Sequence, residues 1–141
     1  MTRSEEIPSL IHKEESYAII GACMAVYKDE GCGFLEPVYH ECLTIGFELR
    51  GIPFVSKPLH TLQYRGRTLV QTFAPGFLCY GKIILEIKAV SGFVDEHRAQ
   101  VLNYLSATTC KLGLLVNFGQ YPRMEYERLL PRNQQPVDLL L

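Results

Sequence analysis

The chain has 141 residues, of which 48% are hydrophobic, so one domain can bury a sizeable core. Fourteen Lys and Arg residues against fifteen Asp and Glu residues give a net charge of -1. This balance excludes a global basic excess, so any surface for nucleic acid must be a local basic patch. The five cysteines are odd in number and none has CxxC spacing, which predicts reduced thiols in a cytoplasmic protein.

The first third of the chain predicts two helices. Apolar residues recur at spacings of three or four between His12 and Asp29, and Gly31 ends this pattern. A second helix is predicted from about Glu36 to Arg50, with a proline in its first turn, where that residue is tolerated. The segment Met1–Glu15 is too polar for a signal peptide, and no apolar run reaches the ~20 residues that span a bilayer.

The middle of the chain predicts strands, because it is rich in β-branched and aromatic residues. Gly66 and Gly81 stand in sequences typical of hairpin turns. The predicted strands are Phe54–Lys57, Thr61–Tyr64, Thr68–Phe73 and Lys82–Ala89.

The last third predicts one helix and two strands. The helix runs from about Asp95 to Thr108. Leu112–Asn117 is almost entirely apolar, as in a strand buried on both faces, and Met124–Leu130 alternates. The element order predicts a single α/β domain over residues 1–141, with one mixed sheet flanked by helices. The tail after residue 130 is predicted to be irregular, and its apolar end could pack on this chain or on a second copy as a homodimer.

One predicted strand places charged side chains where they could carry chemistry. In GKIILEIKAV, side chains alternate, so Ile83, Leu85 and Ile87 share one face while Glu86 and Lys88 share the other. A carboxylate can bind a divalent metal, and a neighbouring ammonium group can neutralise a phosphate. The alternative interpretation is a solvated surface pair, worth about 0.2–1 kcal/mol.

Two helical segments add candidate residues. Gln100 and Tyr104 are four residues apart and therefore lie on one face of the third helix. Glu36 and Tyr39 are three apart at the start of the second helix. The alternative roles are helix stabilisation by the Glu36 charge and core packing by Tyr39. His97, one turn before Gln100, could also face the same cleft.

These residues resemble a known family. Gly33, Glu36 and Tyr39 match the GxxExxY signature of a bacterial and archaeal family within the PD-(D/E)xK nuclease superfamily. Glu86 and Lys88 fall where that family has its ExK motif.

The resemblance extends over most of the chain, from about Tyr17 to Leu130. The stretch HRAQVLNYLSATTCKLGLLVNFG is similar to the family's glutamine-bearing helix and the strand after it. Gln100 and Tyr104 also match the QxxxY pattern of RecB-like nucleases.

The resemblance implies a restriction-endonuclease-like fold and phosphodiester hydrolysis with Mg²⁺ or Mn²⁺. It implies that Glu36 and Glu86 bind the metal, and that Lys88 and Gln100 complete the catalytic set. Tyr39 and Tyr104 would line the same cleft.

The sequence departs from the family at one metal ligand. The family's aspartate falls at about Gly76, and no Asp or Glu lies between Arg50 and Glu86. Pro75 also indicates a local change of backbone, because proline cannot donate a hydrogen bond to a neighbouring strand. Metal binding by the remaining carboxylates is therefore expected to be weak.

Three functions remain open from the sequence. The favoured one is a catalytically degenerate module that binds nucleic acid, with DNA favoured over RNA, or a protein partner. The alternative is a weak metal-dependent nuclease, and the third is a structural or oligomeric role. Six side chains of the strand region are the candidates for a basic patch: Lys57, His60, Arg65, Arg67, Lys82 and Lys88.

Overall fold

A computed structural model describes residues 10–134 of the chain. In this range there are three α-helices and seven strands, followed by a single 3-10 turn. The helices are α1 (Lys13–Glu30), α2 (Glu36–Arg50) and α3 (Asp95–Ala107). The strands are β1 (Phe54–Ser56), β2 (His60–Tyr64), β3 (Arg67–Phe73), β4 (Phe77–Cys79), β5 (Ile83–Lys88), β6 (Leu112–Asn117) and β7 (Glu125–Leu129).

Five of the strands form a mixed sheet in the order β1-β4-β5-β6-β7. Strands β5 and β6 are parallel, joined by the α3 crossover, and the other neighbouring pairs are antiparallel. All six residues of β6 are buried, which confirms the prediction of a strand covered on both faces. The predicted mixed α/β architecture is thus confirmed.

The two faces of β5 pack against different helices. Ile83, Leu85 and Ile87 belong to the larger core, which includes the buried sides of α1 and α2. Ile84 belongs to a smaller core with Val101 of α3. The predicted alternation is confirmed, and Glu86 therefore lies on the α3 side of the sheet with Lys88.

The predicted strand arrangement was wrong in two respects: not all strands belong to one sheet, and one strand was missed. Strands β2 and β3 pair only with each other and form a separate hairpin. Most residues of β3 are exposed, so no buried face ties this hairpin to the main sheet. Strand β4 was not predicted, because it is only three residues long and follows Pro75 and Gly76. The turn at Gly81 joins β4 to β5, and the turn at Gly66 joins β2 to β3.

Close contacts at β6 fix the position of α3 over the sheet. A Cβ atom at Gly113 would lie 2.5 Å from Val101 Cγ1, so only glycine lets the helix approach this strand so closely. Because Val101 directly follows Gln100 in α3, this contact also limits how far Gln100 lies from the sheet.

A buried asparagine holds the loop that follows β5. Asn117 is fully buried, and its Oδ1 accepts hydrogen bonds from the N–H groups of Val90 (3.0 Å) and Gly119 (2.9 Å). Its Nδ2 donates to Val90 O (2.9 Å) and to Glu125 Oε1 (3.2 Å). The backbone two residues after Lys88 is therefore fixed to the end of β6.

The five cysteines all lie in the described range, and none forms a disulfide. Cys23 and Cys79 are core residues, and burial raises the pKa of the Cys79 thiol to about 12. Within residues 10–134, no helix has the length and apolar character needed to cross a membrane. Residues 132–134 form the 3-10 turn, whereas the predicted apolar tail lies outside the described residues.

Candidate functional site

Glu86 is the buried charge at the centre of the candidate site. It lies near the end of β5, and only 7% of its surface is exposed. The Gly76 N–H donates a hydrogen bond to Glu86 Oε1 at 2.9 Å, and Lys88 Nζ lies 3.6 Å from Oε2. The alternative interpretation, a solvated surface pair, is therefore excluded.

Lys88 connects the carboxylate to α3. Its Nζ donates a hydrogen bond to Gln100 Oε1 at 3.0 Å, and the side chain is largely buried. The structure thus brings together Glu86, Lys88 and Gln100, as the strand alternation and the helix spacing predicted. An ammonium group held between a carboxylate and an amide is fixed in position, and it can accept a further anionic partner.

Gly76 lies directly beside Glu86. In the antiparallel pair of β4 and β5, Phe77 lies opposite Leu85. Gly76, which precedes Phe77, therefore lies opposite Glu86, which follows Leu85. A Cβ atom at Gly76 would be 3.7 Å from Glu86 Oε1. The position to which the sequence assigns the missing aspartate is therefore adjacent to the buried carboxylate.

The residues of the GxxExxY signature have different environments. Glu36 is the first residue of α2 and is exposed, and its charge contributes to a raised pKa of Glu86. Tyr39 is fully buried, which agrees with the alternative of core packing and not with the cleft position that the resemblance implies. Its hydroxyl donates to Gly31 O (2.6 Å) and accepts from the Phe34 N–H (3.2 Å). Tyr39 therefore holds the α1–α2 loop that leads to Glu36.

Tyr104 forms the outer wall of the cleft with the hairpin. Its ring stacks on Phe73 of β3, with centroids 4.9 Å apart and planes at 10°. Burial raises the pKa of the Tyr104 hydroxyl, and the nearby Glu86 charge raises it further. The predicted neighbours Gln100 and Tyr104 line one cavity with Phe73. Phe73 could not be predicted as a cleft residue, because its contact with α3 depends on how the hairpin folds back.

The predicted basic patch is divided between the two ends of the sheet. Lys57 is exposed, and its N–H donates to Gly76 O at 2.8 Å, so it lies at the Glu86 end. Lys82 precedes β5 and pairs with Glu15 at 2.8 Å. It is therefore separated from Lys88 by the length of a strand, roughly 20 Å. Including Lys82 in a shared patch was wrong.

Two histidines near the site have structural contacts. His97 does not enter the cleft, because its Nδ1 accepts a hydrogen bond from the Val94 N–H at 3.2 Å and caps α3. His40, for which no role was predicted, stacks on Phe77 with centroids 4.1 Å apart. Burial lowers the pKa of His40, and Lys57 contributes to the same shift.

Burial raises the pKa of the Glu86 carboxyl group above its ordinary value. The Gly76 N–H and the Lys88 charge act in the opposite direction, because both stabilise the ionised form. The Glu36 charge adds to the rise. The site therefore contains an ionisable group that its surroundings stabilise only in part.

The residues present do not fit a divalent metal. Among residues 10–134, no group of three or more His, Cys, Asp or Glu side chains is placed to share an ion. One oxygen of Glu86 accepts from the Gly76 N–H, and the other faces Lys88. A cation next to Glu86 would have to compete with the Lys88 ammonium group. Its second carboxylate ligand would be Glu36. Magnesium prefers several oxygen ligands in octahedral geometry, which this set does not provide.

Comparison with known proteins agrees with the fold. A family model of the PD-(D/E)XK nuclease superfamily matches residues 13–129. The chain therefore belongs to the PD-(D/E)XK nuclease superfamily.

Among solved structures, the crystal structure of SSO0001 is similar, with a TM-score of 0.56 and 16% sequence identity. The match covers 74% of this chain and 54% of that chain, and at this identity it concerns the fold alone. No curated protein matches the sequence significantly.

The raised pKa of Glu86 predicts a pH dependence of stability. The folded protein binds a proton here more tightly than the unfolded chain, whose carboxyl has the ordinary value of 4.5. The contribution of Glu86 to the free energy of unfolding is therefore fully present below pH 4.5, and it is lost as the pH rises through the raised pKa of Glu86. We expect Glu86→Gln to lose less free energy of unfolding than the wild type as the pH rises from 4.5 through the raised pKa of Glu86.

Urea denaturation at several pH values measures this difference. Glu48→Gln, at an exposed position of α2, is the matched control and should follow the wild-type profile. Parallel profiles for Glu86→Gln and the wild type would contradict the assignment of a buried, incompletely stabilised carboxyl group.

The position of Gly76 predicts that Gly76→Asp strengthens metal binding. The new carboxylate would stand beside Glu86, although its Cβ would lie only 3.0 Å from Leu85 O and the strand must shift slightly. We expect calorimetry to give Mn²⁺ affinity about tenfold above that of the wild type, because affinity rises with the number of charged ligands. Gly76→Asn has the same size without the charge and controls for the strand shift. Equal affinities in both variants would show that residue 76 is not the ligand position.

Proposed function

We propose that this chain is a catalytically degenerate nuclease-fold module that binds nucleic acid, with DNA favoured over RNA. The observation that carries the proposal is the environment of Glu86, which has Gly76 beside it and Lys88 as its counter-charge. We also propose that the chain belongs to the GxxExxY branch of the superfamily. The match of Gly33, Glu36 and Tyr39 to that signature supports this finer assignment.

The charge of the cleft supports contact with phosphates. Lys57 and Lys88 lie at the Gly76 end of the sheet, and Arg65 and Arg67 are exposed at the tip of the hairpin. The segment from residue 51 to residue 85 contains no acidic residue. A phosphate that approaches Lys88 would therefore meet few repelling carboxylates besides Glu36 and Glu86, and each ammonium group can contact a backbone oxygen.

The alternative function is a weak Mg²⁺- or Mn²⁺-dependent phosphodiester hydrolase. The observation that favours it is that the Glu36 charge reaches Glu86, so two carboxylates lie at the same end of the sheet. In that case Glu36, Glu86, Lys88 and Gln100 would be the catalytic set. A cytoplasmic location and a homodimer formed through the apolar tail remain proposals from the sequence.

Binding to a labelled DNA oligonucleotide in the presence of EDTA tests the proposed function. We expect fluorescence anisotropy to detect binding without any divalent metal. Lys57→Ala and Lys88→Met should each weaken it, and each should reduce the slope of log affinity against log salt by roughly 0.7–0.9, the contribution of one phosphate contact.

Lys111→Ala is the matched control, because Lys111 is exposed and precedes β6 at the far end of the sheet. It should leave affinity and salt slope unchanged. Equal effects of all three variants would indicate diffuse attraction and contradict a binding cleft. Cleavage of the oligonucleotide in Mn²⁺ by the wild type, abolished in Glu86→Gln, would favour the nuclease alternative.

A further inference from the structure

A cavity of about 410 Å³ lies between the hairpin and α3. Its lining consists of Leu62 and Phe73 from the hairpin and Gln100, Asn103 and Tyr104 from the helix. The volume is within the range of pockets that bind small organic groups. The hairpin has no strand pairing with the main sheet, so the cavity is formed by side-chain contacts alone.

The walls of the cavity are flat and largely apolar. His60 stacks on Phe73, with centroids 5.1 Å apart and planes at 23°, and Phe73 stacks in turn on Tyr104. Leu62 adds an aliphatic surface. Stacked rings beside an aliphatic side chain are suited to a planar heteroaromatic ligand.

The polar groups of the cavity are placed at its rim. Asn103 is exposed and offers amide donors and an acceptor, which can pair with the edge of a nucleobase. Gln100 lines the cavity and also accepts the hydrogen bond of Lys88. A ligand in the cavity is therefore next to the ammonium group that we assign to a phosphate.

The hairpin end of the stack has an incomplete hydrogen-bond network. The Nε2 atom of His60 is buried, and no described residue is its hydrogen-bond partner. Buried polar atoms are normally paired, so an unpaired one marks a place that a small hairpin movement or a ligand can complete.

We propose that this cavity binds one unpaired nucleobase, so that the partner of the module is single-stranded nucleic acid. The inference rests on the proposed function, because it assumes a phosphate at Lys88. Bases inside a duplex are already stacked and paired, whereas bases of a single strand can enter an aromatic pocket. The hairpin cavity thus favours single strands over duplexes, and Lys88, at the Glu86 end of the cleft, contacts the phosphate backbone.

A tryptophan reporter tests the cavity directly, because the chain contains no tryptophan. Phe73→Trp retains an aromatic wall in the cavity. Val70→Trp is the matched control, since Val70 is on the same strand, is 95% exposed and does not line the cavity. We expect a thymidine decamer to quench the fluorescence of Phe73→Trp and to leave that of Val70→Trp unchanged.

An abasic decamer separates base binding from phosphate binding. It carries the same phosphates, so the proposed function predicts that it still binds in an anisotropy assay. The cavity predicts affinity at least about fivefold weaker than for the thymidine decamer, the low end of the effect of one stacked base. Asn103→Ala, at an exposed position with little risk to folding, should weaken only the binding of thymidine.

Four outcomes would overturn the inference. Equal affinity for the two decamers, with no selective quenching of Phe73→Trp, would contradict base binding in the cavity without contradicting the proposed function. Tighter binding of a duplex than of either decamer would do the same. Binding of no oligonucleotide at all would overturn both the inference and the proposed function. Quenching of Phe73→Trp by an aromatic peptide, and by no oligonucleotide, would assign the cavity to a protein partner.

Discussion

The buried carboxylate of Glu86 is the constraint on which the arrangement of the site depends. A charge at 7% exposure requires compensation, because burial disfavours its ionised form. The Gly76 N–H and the Lys88 ammonium group provide that compensation. Lys88 is in turn held by Gln100, and Gln100 is positioned because α3 approaches β6 closely at Gly113. A charge on one strand thus determines contacts on two neighbouring elements.

Glycine at residue 76 changes the charge balance of the cleft. Around Gly76, this end of the sheet has the carboxylates of Glu36 and Glu86 and the ammonium groups of Lys57 and Lys88, whereas Glu125 lies farther away on β7. An aspartate at residue 76 would give a negative excess, which a cation would have to neutralise before a phosphate could approach. With Gly76, the ammonium groups can meet a polyanion directly. The proposed loss of a metal ligand is therefore compatible with the proposed binding of nucleic acid.

The sequence predicted those parts of the site that depend on local geometry. Alternation along β5 predicted the common face of Glu86 and Lys88, and helical spacing predicted the common face of Gln100 and Tyr104. The separation of the hairpin from the main sheet was not predictable, because its strands satisfy their hydrogen bonds with each other and their periodicity is the same in either arrangement. The burial of Tyr39 and the distance of Lys82 from Lys88 likewise depend on long-range packing, which residue spacing does not encode.

We propose that Lys88, and not a metal ion, is the counter-charge of Glu86. Crystals soaked in Mn²⁺ and measured at the manganese absorption edge test it most directly, because anomalous scattering identifies the ion. With Lys88 as the counter-charge, we expect no manganese peak between Glu36 and Glu86, and Lys88 Nζ should still lie close to the Glu86 carboxylate. A strong manganese peak bound by both carboxylates, with Lys88 displaced, would contradict it.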